Sequence, residues 1–313
     1  MNELYLIAQK AKLMYRYNNS IYNKIENKFI PLEDNKNLIS IITINNCNLN
    51  CYFCRGGVEV TALKEYSRFK IMSTAEFKAI VEKCIQSEIK FFDLTPAIGE
   101  PFIDKDFITK LQILEDNPNI KEYTTTTNLL LLTKEQIIHL SKLKKLILDI
   151  SIYGENSEDY FKNTNRDEFN NFLAKLEVLY DNSSDLKMRF IQRCVLSDTS
   201  DLFHYINIFR INRNVNLITN EVYNVNRASK VSQNETRKRN GVCPFGPGAG
   251  GGIVTGGDVL FCPFHDFERT GVMGNIFTDS LKVIYNSNKW KEIINNHQNN
   301  NYIGMCKGCD ETW

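Results

Sequence analysis

The sequence lacks long apolar runs. Nowhere do about 18 apolar residues follow one another, so no transmembrane helix is expected. The opening stretch, MNELYLIAQKAKLMYRYNN, has no extended apolar segment and no small-residue cleavage site, which speaks against a secretory signal. It also lacks an excess of either charge: 38 Lys and Arg stand against 37 Asp and Glu, a formal net charge of +1. That excludes a broadly basic nucleic-acid surface and an acidic tail. Histidine is scarce, with only His139, His204, His265 and His297. These absences describe a cytoplasmic protein with neither a nucleic-acid nor a membrane partner.

What the chain does have is cysteine, nine residues in 313. In a reducing compartment such residues are more readily metal ligands than disulfides, and an odd number cannot pair completely. Hydrophobic residues make up 42% of the chain, enough for a core, and the length suits one large domain or one large plus one small.

Residues 1–37 form a mixed polar and aromatic lead-in. A β-branched apolar run, LISIITI (38–44), then reads as a buried strand. Helices are expected over 74–87, 104–117, 133–143 and 166–182, and strands over 89–95, 121–127, 145–152 and 186–195. A weaker helix and strand follow near 200–210 and 215–223. Strand–helix alternation of this kind implies a parallel sheet wrapped by helices, with the ligand at the C-terminal strand ends. After about residue 224 the texture becomes polar and then glycine-rich. GIVT and DVLF flank Gly256 and Gly257, a β-hairpin pattern, and a short helix is expected over 279–296. The expected domains are therefore 38–224 and 225–313.

The loop leaving the first strand carries CNLNCYFC, with Cys47, Cys51 and Cys54 in eight positions and no fourth ligand nearby. A structural zinc site wants four ligands, as does a closed iron–sulfur cube. Three ligands either borrow a fourth from afar or leave one iron open to a small molecule.

This C-x3-C-x2-C loop resembles that of the radical S-adenosylmethionine (AdoMet) superfamily. The resemblance implies a [4Fe–4S] cluster whose open iron is chelated by AdoMet, with an aromatic residue before the last cysteine, here Phe53, packing on the adenine. TPAIGEP is similar to the family's glycine–glycine–glutamate stretch, which aligns Gly99, Glu100 and Pro101 with it and implies that Glu100 binds the AdoMet ammonium. Ile98 stands where glycine is commoner. Asn128, after TTTT, falls where the family has T-N-G, with Leu129 in place of the glycine. Ser151, beside Tyr153, falls where ribose and carboxylate contacts lie. The implied fold is α/β, a partial (β/α)6 TIM-like barrel. The implied chemistry is reductive cleavage of AdoMet to a 5′-deoxyadenosyl radical that takes a substrate hydrogen, in a barrel secluded from water. An electron donor such as flavodoxin or ferredoxin is implied as a partner.

A second cysteine set, Cys243, Cys262, Cys306 and Cys309, could close either a zinc site or an iron–sulfur cluster. The surrounding hairpin, the Gly274–Asn275 pair and the terminal CKGC are similar to the SPASM/Twitch extension of the same superfamily. That implies a small α+β Twitch-type domain with one auxiliary [4Fe–4S] cluster, fully ligated and suited to electron transfer.

Two cysteines remain. Cys84, in an expected helix, reads as packing. Cys194, at the end of the fifth strand, reads as packing or as a thiol that donates hydrogen to a substrate radical. Arg189 and Arg193 point opposite to Cys194 by strand alternation. They read as a surface ion pair, as a site for the AdoMet carboxylate, or as a substrate base. The substrate expected is a small polyhydroxylated or amino-sugar-like molecule that is dehydrogenated, because only 37 residues precede the first strand, too few for the family's peptide-recognition domain. The alternatives are a peptide maturase making an epimer or thioether, and a non-catalytic iron–sulfur or metal-binding protein.

Overall fold

The computed structural model describes residues 38–54, 70–183, 185–194, 200, 202, 206, 216–219, 241–243, 250–264, 266, 269–302 and 306. The lead-in, the linker, the glycine run 244–249 and Cys309 lie outside these residues, as does most of the expected 200–210 helix.

Six parallel strands lie side by side in reverse chain order. They are β1 (Leu38–Ile41), β2 (Phe91–Asp93), β3 (Glu122–Thr127), β4 (Leu146–Ile152), β5 (Lys187–Gln192) and β6 (Asn216–Thr219). The helices between them are α1 (Thr74–Gln86), α2 (Phe107–Asp116), α3 (Lys134–Leu140), and the pair α4 (Ser157–Thr164) and α5 (Phe169–Asn182). The sheet stays open, so the expected partial barrel is the fold.

The helices form where the sequence caps them and repeats apolar residues. Ser73 accepts the Glu76 N–H to start α1, whose Phe77, Ile80, Val81 and Cys84 are buried on one face. Thr133 and Gln136 form a reciprocal capping box on α3. The expected 166–182 helix is α5, and a further helix, α4, precedes it. Asn156 caps α4, and Asn165, at φ 53°, breaks the chain between α4 and α5 in the left-handed region.

Strand alternation separates two chemistries. On β4, Leu146, Leu148, Ile150 and Ile152 are buried in the main hydrophobic core that also holds Phe172 and Leu176 of α5. The opposite face of the sheet carries Asp93 beside Thr124, and Thr126 beside Asp149 and Arg189, as the register of neighbouring strands places them. Parallel strands covered on both sides are usually apolar on both faces. Here β2 and β3 alternate buried with half-buried residues, and the half-buried set is polar from Asp93 through Thr95, Thr124 and Thr126.

The C-terminal strands extend the same sheet. β7 (Gly252–Ile253) pairs in parallel with β1, and β8 (Asp258–Leu260) and β9 (Val272–Asn275) follow antiparallel. The hairpin turns at Gly256 and Gly257, with φ 94° and 81°. A side chain on Gly257 would strike the Phe277 ring at 2.4 Å, so this turn needs glycine. The Gly256 N–H is held by Glu76 of α1 at 2.6 Å. Helices α6 (Leu281–Tyr285) and α7 (Asn288–Gln298) replace the expected single helix. Among the described residues no helix is long and apolar enough to cross a membrane.

Candidate active site

The cysteine loop leaves β1 at the C-terminal ends of the strands and is tied down on several sides. The Asn50 N–H donates to the Thr164 carbonyl at 3.1 Å and the Tyr52 N–H to the Asn163 carbonyl at 3.2 Å, so the end of α4 supports the loop. The Asn128 amide nitrogen donates to Asn48 Oδ1 at 2.8 Å and lies 3.9 Å from Cys47 Sγ. The Leu49 N–H points at Cys47 Sγ from 3.5 Å.

Cys47, Cys51 and Cys54 are brought close enough for each charge to act on the others. Burial pushes the Cys47 thiol up to about 12, with Glu100 and Cys54 adding to the shift and the Leu49 N–H opposing it. Burial likewise raises Cys51 far above its ordinary value, its two neighbours add to this, and the Arg193 guanidinium opposes it. Such thiols ionise only if a positive charge joins them, which is what iron supplies. Tyr160 points the same way. Its hydroxyl is buried with no hydrogen-bond partner among the described residues, and it feels the charge of Cys51 and Cys47. A buried orphaned hydroxyl beside two desolvated thiols fits a site made to hold a further polar group.

Glu100 lies against this loop. Its own N–H donates to the Asn46 carbonyl at 2.8 Å. Pro101 then begins a short 3-10 turn, Pro101–Ile103, that Glu100 caps. The carboxylate is almost wholly buried and accepts from the Asn128 N–H at 2.7 Å, the Thr127 hydroxyl at 2.8 Å and the Phe102 N–H at 3.3 Å. A carboxylate has about four acceptor positions, so one remains for a ligand. Burial pushes its pKa up to about 7, against the lowering effect of those three donors. Gly99 has φ 155°, and a side chain there would lie 3.0 Å from Pro96 Cβ and 3.1 Å from the Ile44 carbonyl, so the close approach of this segment to the loop requires glycine. Leu129 does adopt the left-handed conformation of the glycine it replaces, at φ 72°, and its complete burial offsets the strain.

Phe53 stacks on Tyr153, with ring centroids 6.1 Å apart and planes 17° from parallel. Tyr153 continues β4 beyond Ser151, which is buried beside it. Arg193 acts electrostatically on Cys51, Tyr153 and Asp149, which puts it at the same mouth.

Two expected site residues stand elsewhere. Arg189 is neither on the surface nor at the mouth. It pairs with Asp149 through two bonds of 2.6 and 2.7 Å and reaches Thr124 at 3.4 Å, deeper along the strands. Cys194 is only 8% exposed and belongs to the hydrophobic core, its Sγ 3.7 Å from the Ile152 carbonyl. The Arg193 N–H continues the β4–β5 ladder to Ile152, so alternation turns Cys194 toward the helices, away from Arg193. Burial pushes its thiol up to about 12. This burial and this contact fit the packing reading of Cys194.

The sequence reading missed Asn48, Asn163, Thr164, Asp93 and Asp149. The Asn156–Asp159 cap before α4 was a usable signal for two of them. Asp93 and Asp149 depend on pairings across strands, and Asn48 on its contact with Asn128.

Of the second cysteine set, Cys243 meets the end of α7, its N–H donating to His297 Nδ1 at 3.3 Å. Cys243 and Cys262 are buried, and half-buried Cys306 packs against the main core. Cys262 follows β8, and its carbonyl accepts the Asp266 N–H at 3.3 Å. The Asp266 carboxylate gathers the N–H groups of Thr270 and Gly271, closing the loop behind it. The donor set is all thiol in an apolar setting, which suits an iron–sulfur cluster.

Comparisons with known proteins cover both regions of the chain. The radical SAM superfamily matches residues 41–191, and a SPASM iron–sulfur cluster-binding domain matches residues 243–310. The structure of BtrN in complex with AdoMet and 2-DOIA is similar, with a TM-score of 0.58 at 17% identity over 89% of this chain and 94% of that one. Native anSMEcpe with bound AdoMet gives 0.58 at 16% over 83% of each chain. Streptococcus suis SuiB bound to the precursor peptide SuiA gives 0.59 at 16% over 82% of this chain and 66% of that one. Identities this low speak to the fold alone. No curated protein matches the chain. With a [4Fe–4S] cluster and AdoMet as cofactors of its barrel and auxiliary iron–sulfur chemistry at its C-terminus, the chain belongs to the radical SAM superfamily and carries a SPASM domain.

Proposed function

We propose that this enzyme dehydrogenates a small polyhydroxylated or amino-sugar-like molecule. The observation that carries this reading is the polar, half-buried face of the sheet. Asp93, Thr95, Thr124 and Thr126 line it, with the Thr95 and Thr126 hydroxyls 3.1 Å apart. A face of this kind offers hydroxyl and carboxylate partners to a polar ligand rather than an apolar packing surface. Burial pushes the Asp93 carboxyl up to about 6, with the Thr95 N–H opposing, which suits a group that accepts a proton near neutrality.

The cluster with AdoMet supplies a 5′-deoxyadenosyl radical that takes one hydrogen atom from the substrate. Cys47, Cys51 and Cys54 hold that cluster. Glu100 holds the AdoMet ammonium through its remaining acceptor position, and Gly99 and Pro101 shape its turn. Phe53 covers the adenine, while Asn128 and Ser151 line the cofactor's edge. Arg193 faces the carboxylate of AdoMet or of substrate, and Arg189 opposes the rise that burial causes in the Asp149 pKa. Residues 225–313 would hold one auxiliary [4Fe–4S] cluster on Cys243, Cys262, Cys306 and Cys309, which would supply an acceptor for the electron that remains after the proton leaves. The partners are the small substrate and a low-potential electron donor.

The test is anaerobic reconstitution, followed by dithionite, AdoMet and a panel of amino sugars, cyclitols and short peptides. The reading predicts 5′-deoxyadenosine formation coupled to an oxidised cyclitol or sugar, with no solvent deuterium in the product when run in heavy water. A peptide substrate, or a product labelled at carbon, replaces dehydrogenation with peptide modification or epimerisation. Absence of 5′-deoxyadenosine from every incubation overturns the catalytic reading.

A further inference from the structure

We propose that His297 positions the auxiliary iron–sulfur centre and holds its reduction potential low, through the backbone of Cys243. The inference uses the SPASM assignment but not the substrate reading.

Helix α7 buries Trp290, Ile294 and His297 on one face, at the spacing of successive helical turns. His297 is completely buried. Its ring lies edge-on to Phe261 at 5.5 Å and to Tyr302 at 5.0 Å. Its Nδ1 accepts the Cys243 N–H at 3.3 Å, which assigns the ring proton to Nε2 and leaves the imidazole neutral.

The same helix end holds the residues before Cys243. The Gly241 N–H donates to Asn300 Oδ1 at 2.8 Å, and the Tyr302 hydroxyl donates to the Gly241 carbonyl at 3.1 Å. Three side chains within six positions thus clamp the 241–243 backbone. In sequence, Cys306 follows Tyr302 by four residues. The clamp therefore ties the backbone at Cys243 to the segment His297–Tyr302, which is far from it in sequence.

The electronic consequence follows from where the Cys243 N–H points. Backbone N–H groups near a cluster commonly donate to its sulfurs, and such bonds favour the more negative, reduced form, raising the potential. Here the imidazole takes that N–H. A neutral ring among aromatic neighbours brings no positive charge in exchange. Both features favour the oxidised cluster.

The experiment is potentiometry followed by electron paramagnetic resonance on the full reconstituted chain, without substrate. Added AdoMet moves the signal of the barrel cluster and so separates the two centres. His297→Leu removes the acceptor and is expected to raise the auxiliary midpoint potential with iron content unchanged. His297→Asn places a carbonyl oxygen where Nδ1 stood and is expected to restore the wild-type value. His297→Gln, whose polar atoms match Nε2 instead, should resemble His297→Leu, and it serves the same contrast if that variant does not fold. An unchanged potential in folded, fully loaded His297→Leu or His297→Gln overturns the proposal. So does a raised potential in His297→Asn, or retention of all auxiliary iron by Cys243→Ala. Because no substrate is present, a wrong substrate reading leaves these outcomes untouched.

Discussion

The two cysteine sites are built in opposite ways. The barrel site draws Cys47, Cys51 and Cys54 from eight consecutive residues, and the fold contributes the support around them. The C-terminal site gathers cysteines from separate segments, and its geometry depends on α7 clamping the backbone beside Cys243. A local loop can leave a coordination position open, because its neighbours do not compete for it. A dispersed set closes on itself, which suits a centre that passes electrons without binding substrate.

The largest effects should come from separating the two. Cys51→Ala is expected to abolish 5′-deoxyadenosine formation and to lower iron from about eight to about four per chain, leaving the auxiliary centre in place. Cys262→Ala should lose a similar amount of iron yet still cleave AdoMet, without giving oxidised product. If both variants lose both centres, the sites are not independent and the contrast collapses. Anaerobic iron analysis and product chromatography decide this.

Glu100→Gln keeps the hydrogen-bonding shape but removes the charge. A lost charge-assisted bond is worth about 1.5–3 kcal/mol, so AdoMet should bind roughly ten- to a hundred-fold more weakly. Iron content should stay as in the wild type. Equilibrium dialysis with labelled AdoMet checks this, and an unchanged affinity would remove Glu100 from the cofactor site.

Gly99→Ala forces a side chain against the Pro96 ring and the Ile44 carbonyl, at a backbone conformation that favours glycine. Strain and overpacking of this kind cost about 1–3 kcal/mol. The expected result is a lower urea midpoint together with weaker AdoMet binding, because Glu100 follows directly. Gly257→Ala meets the Phe277 ring and should lower stability while leaving AdoMet binding intact.

The smallest effect is a pH dependence. The Glu100 carboxyl, with its pKa raised to about 7, holds its proton more tightly in the folded chain than in the unfolded one. Its contribution to stability is full below the ordinary carboxylate pKa and is lost as pH rises through about 7. From pH 6 to pH 8 the AdoMet-free protein should therefore lose about 1 kcal/mol that Glu100→Gln does not lose. Parallel denaturation curves at the two pH values measure it, and equal losses in both proteins would refute the raised pKa.

Much of this was legible in the sequence. The β-branched runs gave the strands, and LISIITI followed at once by CNLNCYFC placed the cysteine loop at the ligand end of the sheet. GIVT and DVLF around two glycines gave the hairpin. Other features were not legible, because they depend on which side of a strand faces what. Arg189 and Cys194 look equally available in RFIQRC, yet one is paired with Asp149 and the other is buried in the core. Helix α4 was hidden by its polar composition, since only Tyr160 and Thr164 are buried. His297 had no local cysteine to suggest a role, and only the return of the chain brings it to Cys243.

The sequence by itself determined the chemistry at the barrel mouth. Ligands within eight residues of each other share a loop in almost any fold, and Gly99-Glu100-Pro101 carries its turn in its own backbone preferences. Tertiary structure decided the rest: the buried environment that raises Glu100, the pairing of Arg189 with Asp149, the polar face that would receive a substrate, and the clamp on Cys243. Each of these depends on contacts between segments distant in the chain, and burial sets its strength. Neither contact nor burial is a property of any short stretch of residues.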